Sequence, residues 1–369
     1  MKKSKFLLFL LFLLTLNACQ VLKKNGVSKS QLAAYEKEIK RLQQKFPMPG
    51  LSVGIAANDA VVYAKGFGFA DIENQTPVTE NTPFRIASLT KTVASMVLMS
   101  LVESGQMDIN WKVKDYYPDY LGTCERILGY FNDEIPEYSF LLNQYEPKRD
   151  DILIKHHLSH TAEKTPGDKY KYNGFLFGML SNVMETATKT KFDTLVNRMV
   201  IDKLQLTHSA SSQIDKAKPN VIKWLAKPYI VVENGQFKLG EYPNPKLNAG
   251  AGMVSSVTDL LVFDKAINQN VLIKKETKKK QFTPYKLNDG SVSPYGLGWF
   301  TQKYKGYTLV WHYGWQPKAY SGLYLKVLEK NLTLVLLANS EELSSSFDLG
   351  KGDVLNSEFA KSFLLIFLK

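Results

Sequence analysis

The stretch Ile86-Ala87-Ser88-Leu89-Thr90-Lys91-Thr92-Val93 opens an apolar segment that reads as a helix from about Ser88 to Glu103. Val93, Met96, Val97, Leu101 and Val102 are its apolar positions, and Gly105 is placed to end it. A helix apolar on nearly all sides is a buried one. Ser88 and Lys91, three apart, share a helix face, so hydroxyl and amine can meet. A lysine takes a hydroxyl proton only when burial or a neighbouring cation leaves it neutral. The free N–H groups of a first helical turn also favour the negative charge that develops in acyl transfer. A chain with this much lysine yields about one such pair by composition alone. An ordinary serine beside a solvated lysine therefore stands as the alternative until the rest of the chain is read.

With 369 residues, 44% of them hydrophobic and 22% charged, the chain has the composition of a globular protein with a large core. Its net charge of +12 suits an anionic neighbourhood such as a membrane or wall polymer. The lysines are scattered, with Lys278 to Lys280 the densest run, and no nucleic-acid signature accompanies them. Lys2, Lys3 and Lys5 precede an apolar run from Phe6 to Leu16, the layout of a secretory signal and too short to span a bilayer. The run leads into Leu16-Asn17-Ala18-Cys19, which resembles a bacterial lipobox with Cys19 as the lipidated residue. Cys124 is then left alone, so no intrachain disulfide is expected, and it reads as a buried, inert thiol.

Residues 19–30 read as a polar tether. Leu32, Tyr35, Ile39, Leu42 and Phe46 then mark an amphipathic helix from Gln31 to Phe46. Leu51 to Ala57 and Ala60 to Gly66 read as strands joined at Asn58-Asp59, a hairpin signal. Trp111 to Asp151 show little periodicity and read as a surface excursion. Three of the five histidines fall in Ile154-Lys155-His156-His157-Leu158-Ser159-His160, where His156 and His160 have a metal-chelating spacing. No HExxH glutamate is present, and capping of a buried helix end is the commoner use of such histidines. Tyr170 to Glu185 and Phe192 to Leu204 read as helical. Gly250-Ala251-Gly252-Met253 is a glycine-rich turn without a Walker lysine, and Thr258 resembles the N-cap of the helix that follows. Tyr295 to Gln302, Tyr307 to His312, Gly322 to Leu328 and Leu332 to Asn339 are β-type runs. Val354 to Leu368 closes the chain as a helix over a sheet face.

Strands at both ends with helices between imply an α/β (α+β) fold. An antiparallel sheet is flanked by N- and C-terminal helices, beside a mainly helical lobe. The expected division is a leader over residues 1–18, the tether over 19–30, an α/β lobe from 31–87 with 290–369, and a helical lobe over 88–289.

The order of motifs resembles the serine β-lactamase and penicillin-binding-protein superfamily, in particular its class C β-lactamase, D-alanyl-D-alanine peptidase and esterase branch. The matching segments include Pro49-Gly50-Leu51-Ser52-Val53, Phe84-Arg85-Ile86-Ala87-Ser88-Leu89-Thr90-Lys91, Leu158-Ser159-His160-Thr161, Tyr295-Gly296-Leu297-Gly298-Trp299 and His312-Tyr313-Gly314. The resemblance implies a β-lactamase/transpeptidase-like fold, Ser88 as acylated nucleophile and Lys91 as its proton partner. It further implies Tyr172 as proton relay, and His312 as the third-motif residue that orients substrate. The oxyanion hole falls to the N–H groups of Ser88 and of Trp315, just after Gly314. No cofactor and no metal are implied.

Two departures bear on substrate. The second motif usually reads tyrosine, any residue, asparagine, whereas Gly174 stands in the third place here and the amide moves to Asn173. The third motif is led by histidine, associated in this branch more with peptidases and esterases than with efficient β-lactamases. The expectation is an exported serine hydrolase, lipid-anchored in the bacterial cell envelope and facing the periplasm or exterior. Its substrate would be a small molecule or peptide, peptidoglycan fragments included. A wall-binding pseudoenzyme and a class C-type β-lactamase are the alternatives.

Overall fold

The structure, a computed structural model, describes residues 23–133, 150–232 and 235–368. The basic and apolar leader and Cys19 lie outside the described residues. The second half of the expected tether is folded: Lys23–Lys24 pairs with Val27–Ser28 across Asn25-Gly26, both of positive φ, and Val27 is buried.

Helix α1 (Lys29–Lys45) starts in a capping box. Ser28 Oγ accepts from the Gln31 N–H at 3.1 Å, and the Gln31 side chain accepts from the Ser28 N–H at 3.0 Å. Its apolar stripe buries Tyr35, Ile39 and Leu42. The last helix, α4 (Glu358–Phe367), lies against it, with Tyr35 edge-on to Phe363 and Phe367 at 5.5 and 5.8 Å. Together they cover one face of a seven-stranded antiparallel sheet.

The strands are β1 (Gly50–Ala57), β2 (Ala60–Asp71), β3 (Thr76–Pro77), β4 (Phe300–Tyr304), β5 (Tyr307–Gln316), β6 (Tyr320–Val327) and β7 (Leu332–Ala338). Their spatial order is β4-β5-β6-β7-β1-β2-β3. The two ends of the chain meet where β7 pairs β1, from Leu332 opposite Ala57 to Ala338 opposite Leu51. All eight residues of β1 are buried, because both faces of the sheet are covered. Leu51, Val53, Ile55 and Ala57 pack toward α1 and α4. Gly54 faces the other way, where a Cβ would come within 3.0 Å of Leu261 and 3.2 Å of Val257. Its bare Cα lets α3 (Val257–Asn268) lie close on the second face.

Helix α2 (Thr90–Glu103) also lies on this second side and is buried almost throughout, as its composition requires. Gly105, at φ +72°, lets the chain turn back so that the Gln106 N–H reaches the Leu101 carbonyl. Helix α3 is tied to the sheet by buried Asp264, which accepts from Tyr324 Oη at 2.7 Å, Thr333 Oγ1 at 3.0 Å and Lys326 Nζ.

Three readings change. The expected excursion over Trp111 to Asp151 contains helices at Val113–Tyr116 and Tyr120–Asp133, with Tyr120, Cys124 and Phe131 buried. The cap of α3 is Ser256, whose hydroxyl accepts from the Asp259 N–H, while Thr258 turns to Asn81. The expected strand from Tyr295 begins only at Phe300, because Gly296 and Gly298 carry the chain past Gln281 and Leu158 in a loop.

Candidate active site

Ser88 sits in a single 3-10 turn, Ala87–Leu89, that leads into α2. Two clamps hold that turn. Phe84–Arg85 pairs with Val254–Ser255, and the Ile86 N–H reaches the Met253 carbonyl at 3.0 Å. Ala87 is a non-glycine residue at φ +47°, a conformation that costs about 1–3 kcal/mol and persists where its surroundings over-determine it. Strand β5 closes the other side: a Cβ on Gly314 would come within 2.5 Å of the Ile86 carbonyl oxygen, so only glycine permits this approach. Ser88 therefore lies at the seam between the helix start and the strand.

One helical turn on, Lys91 is 1% exposed. Its Nζ lies 2.8 Å from Ser88 Oγ and donates to the Gly250 carbonyl at 2.9 Å. Asn248 holds that carbonyl in place, its side-chain oxygen accepting from the N–H groups of Gly250 and Ala251. Among the described residues, no carboxylate is a hydrogen-bond partner of Lys91. Burial alone lowers its pKa from 10.5 to about 7, so a large neutral fraction exists at physiological pH. The aromatic rings of Tyr172 and Phe177 lie 5.2 and 5.5 Å from Nζ.

The structure brings Tyr172 and His312 to the same place. Among the described residues the buried Tyr172 hydroxyl has no hydrogen-bond partner, and Ser88 and Tyr313 are its polar neighbours. Burial pushes the phenol well above its ordinary pKa, so at neutral pH Tyr172 holds its proton. His312, on β5, is wholly buried. Its Nδ1 donates to the Tyr313 carbonyl at 2.6 Å, and Nε2 accepts from Tyr295 Oη at 2.9 Å. Burial first and the Lys91 charge second lower its pKa to about 3. Both ring nitrogens are thus bonded within the protein, and the neutral imidazole packs 6.2 Å from the Tyr172 ring.

Asn173 is bonded within the protein as well. Its side-chain oxygen caps Gly174–Gly178 by accepting from the Phe175 and Leu176 N–H groups, and its amide nitrogen donates to Glu163 at 3.0 Å. The amide displaced from the usual third place of the motif is spent inside the protein. Gly174 faces the site instead, and a Cβ built there would lie 3.6 Å from Lys91 Nζ. In the third motif the Trp315 indole donates to Glu341 at 2.9 Å, and the Gly314 carbonyl accepts from Ser344 Oγ at 2.9 Å. Of the clustered histidines, His156 accepts from the Leu153 N–H at 3.1 Å and His157 meets Tyr120 Oη at 3.3 Å.

Sequence reasoning missed the Gly250 carbonyl, which has no side chain to betray it. It also missed the hydroxyl of Tyr295, read only as a strand start.

Residues 36–355 match the family model described as Beta-lactamase. The chain is 27% identical over 322 residues to penicillin-binding protein 4* of Bacillus subtilis, covering 82% of this chain and 70% of that one. It spans 60% of the length of a further curated relative. Among solved structures, an octameric penicillin-binding protein homologue from Pyrococcus abyssi superposes with a TM-score of 0.72 at 21% identity, covering 90% of this chain and 77% of the other. D-alanine carboxypeptidase AmpC from Burkholderia cenocepacia gives 0.69 at 17% identity, covering 92% and 98%. With residues 36–355 matched, which is most of the chain, the chain belongs to the β-lactamase family of the serine β-lactamase and penicillin-binding-protein superfamily.

Proposed function

We propose that the protein is a serine hydrolase that cleaves a peptide, amide or ester through an acyl-enzyme on Ser88. The observation that carries this reading is the 2.8 Å contact between Ser88 Oγ and a buried lysine that has no carboxylate bonded to it among the described residues. Neutral Lys91 accepts the Ser88 proton as Oγ bonds to the substrate carbonyl carbon. The oxygen that becomes negative is met by the N–H groups of Ser88 and Trp315, at the helix start and on β5. As the tetrahedral species collapses, the bond to the leaving amine or alcohol breaks and the Tyr172 hydroxyl supplies its proton. The proton held on Lys91 then restores Tyr172. Water repeats the sequence on the Ser88 ester, giving the carboxylic acid and free serine.

The name of the Burkholderia neighbour, a D-alanine carboxypeptidase, supports peptides ending in a D-amino acid as the first class to assay. The basic and apolar leader ending at Cys19 supports export and lipid anchoring in a bacterial envelope. Intact-mass measurement after exposure to a fluorophosphonate or a β-lactam tests the reading. A single adduct that maps to Ser88 and vanishes in Ser88→Ala is expected. Unmodified protein with both reagents would overturn it.

A further inference from the structure

The run Tyr170 to Asn173 is fastened to the protein at every residue except Tyr172. Tyr170 Oη donates to the Gly350 carbonyl at 2.8 Å, and Lys171 Nζ lies 3.2 Å from Glu163. His160 supplies two further ties, one on each side of Tyr172. Its carbonyl accepts from the Lys171 N–H at 2.8 Å, and its ring Nδ1 accepts from the Asn173 N–H at 3.1 Å. Its ring also lies against the Tyr172 ring, with centroids 4.4 Å apart and planes tilted by 37°.

We propose that His160 is a positioning residue for Tyr172: by bonding the backbone on both sides of that tyrosine, it sets where the phenol stands above Ser88 and Lys91.

The proposal rests on the acyl-transfer reading for its consequence, though not for its geometry. Three observations separate His160 from a side chain that merely fills space. It stands at φ +55°, in the left-handed region that a bulky residue adopts only under constraint, and this turn aims its carbonyl and its ring at the same short segment. Its ring is boxed by Phe177 at 5.4 Å, Tyr295 at 4.7 Å and Tyr170 at 6.3 Å, which leaves it one orientation. Finally, an Nδ1 that accepts a hydrogen bond carries no proton, so the imidazole is neutral with its hydrogen on Nε2. Burial and the nearby Lys91, His312 and His157 all push in that direction. Residue 160 is thus required as an acceptor at a fixed place, which a hydrophobic residue of equal size cannot supply.

Two substitutions distinguish the roles. In His160→Asn, the side-chain oxygen replaces Nδ1 as acceptor and the residue tolerates the left-handed backbone. In His160→Leu, the volume is filled and the acceptor is gone. Single-turnover acylation of Ser88 by ethyl butyrate, whose alkoxide leaving group needs a proton, should slow by about 100-fold in His160→Leu, the loss expected for a misplaced reacting group. The Michaelis constant should stay near the parent value, and His160→Asn should remain within about tenfold of the parent rate. Adding His160→Leu to Tyr172→Phe should lower the rate no further. Equal losses in both His160 variants, or additive losses with Tyr172→Phe, would overturn the proposal.

A second readout does not need turnover. In protein labelled with 13Cζ-tyrosine, the Tyr172 resonance, assigned by its absence in Tyr172→Phe, should move in His160→Leu and hold in His160→Asn. If the parent protein is never acylated, the hydrolase reading fails while this spectrum still decides the positioning role. A resonance unmoved in both variants would overturn it.

Discussion

Two lysines are buried among the described residues, Lys91 at 1% exposure and Lys326 at 2%, and they have opposite company. Lys326, on β6, donates to the carboxylate of Asp264 and to Asn268 Oδ1 at 3.0 Å, and the same carboxylate holds Tyr324 and Thr333. Its charge is compensated, and its work is to join α3 to the sheet. Lys91 has an alcohol and a peptide carbonyl in place of a carboxylate. Equal burial therefore accompanies a structural tie in one place and, at Lys91, an amine whose pKa burial lowers to about 7. A buried charge without a counter-charge lowers its own pKa, and that is how a fold converts stability into reactivity.

Breaking the paired lysine should have the largest effect on stability. Lys326→Met leaves Asp264 buried without its cation and should cost about 3–5 kcal/mol in denaturant unfolding. The rate of Ser88 acylation per folded molecule should stay unchanged, since Lys326 donates to Asp264 and Asn268 and has no hydrogen bond to Ser88, Lys91 or Tyr172 among the described residues.

The same change at Lys91 should act in the reverse direction and more weakly. Lys91→Met removes a cation that burial disfavours and should stabilise the fold by about 1 kcal/mol, at the expense of acylation. The sign with pH follows from linkage. The folded pKa, about 7, lies below the unfolded value near 10.5, so between these values the unfolded chain binds more protons and parent stability rises with pH. The advantage of Lys91→Met should therefore be greater at pH 6 than at pH 9. An advantage that grew with pH would show that Lys91 is charged and compensated in the fold.

The two regions were not equally legible in the sequence. Ser88 and Lys91 could be placed on one helix face from spacing alone, and the hairpin at Asn58-Asp59 was fixed by its turn residues and flanking apolar runs. The Asp264–Lys326 network was invisible, because its members come from a helix and a strand separated by 62 residues and carry no local pattern. The helix Tyr120–Asp133 escaped because Gly122 and Gly129 interrupt its apolar stripe and prolines stand on both sides of it. At the site, residue types were legible and directions were not. Asn173 and Gly174 were recognised as a displaced motif, yet only the fold shows that the amide caps a helix while the bare Cα faces Lys91. His312 was found from its Gly314 companion, but its commitment to Tyr295 and the Tyr313 carbonyl depends on a loop that no periodicity describes.

The central claim is that Lys91, uncompensated and partly neutral, is the base for Ser88. Its most direct test is the pH dependence of the second-order rate constant for fluorophosphonate labelling of Ser88 between pH 5 and pH 9. The rate should rise about tenfold per pH unit below a midpoint near 7 and level off above it. A rate that is flat across this range, or that climbs without a plateau to pH 9, would contradict the assignment.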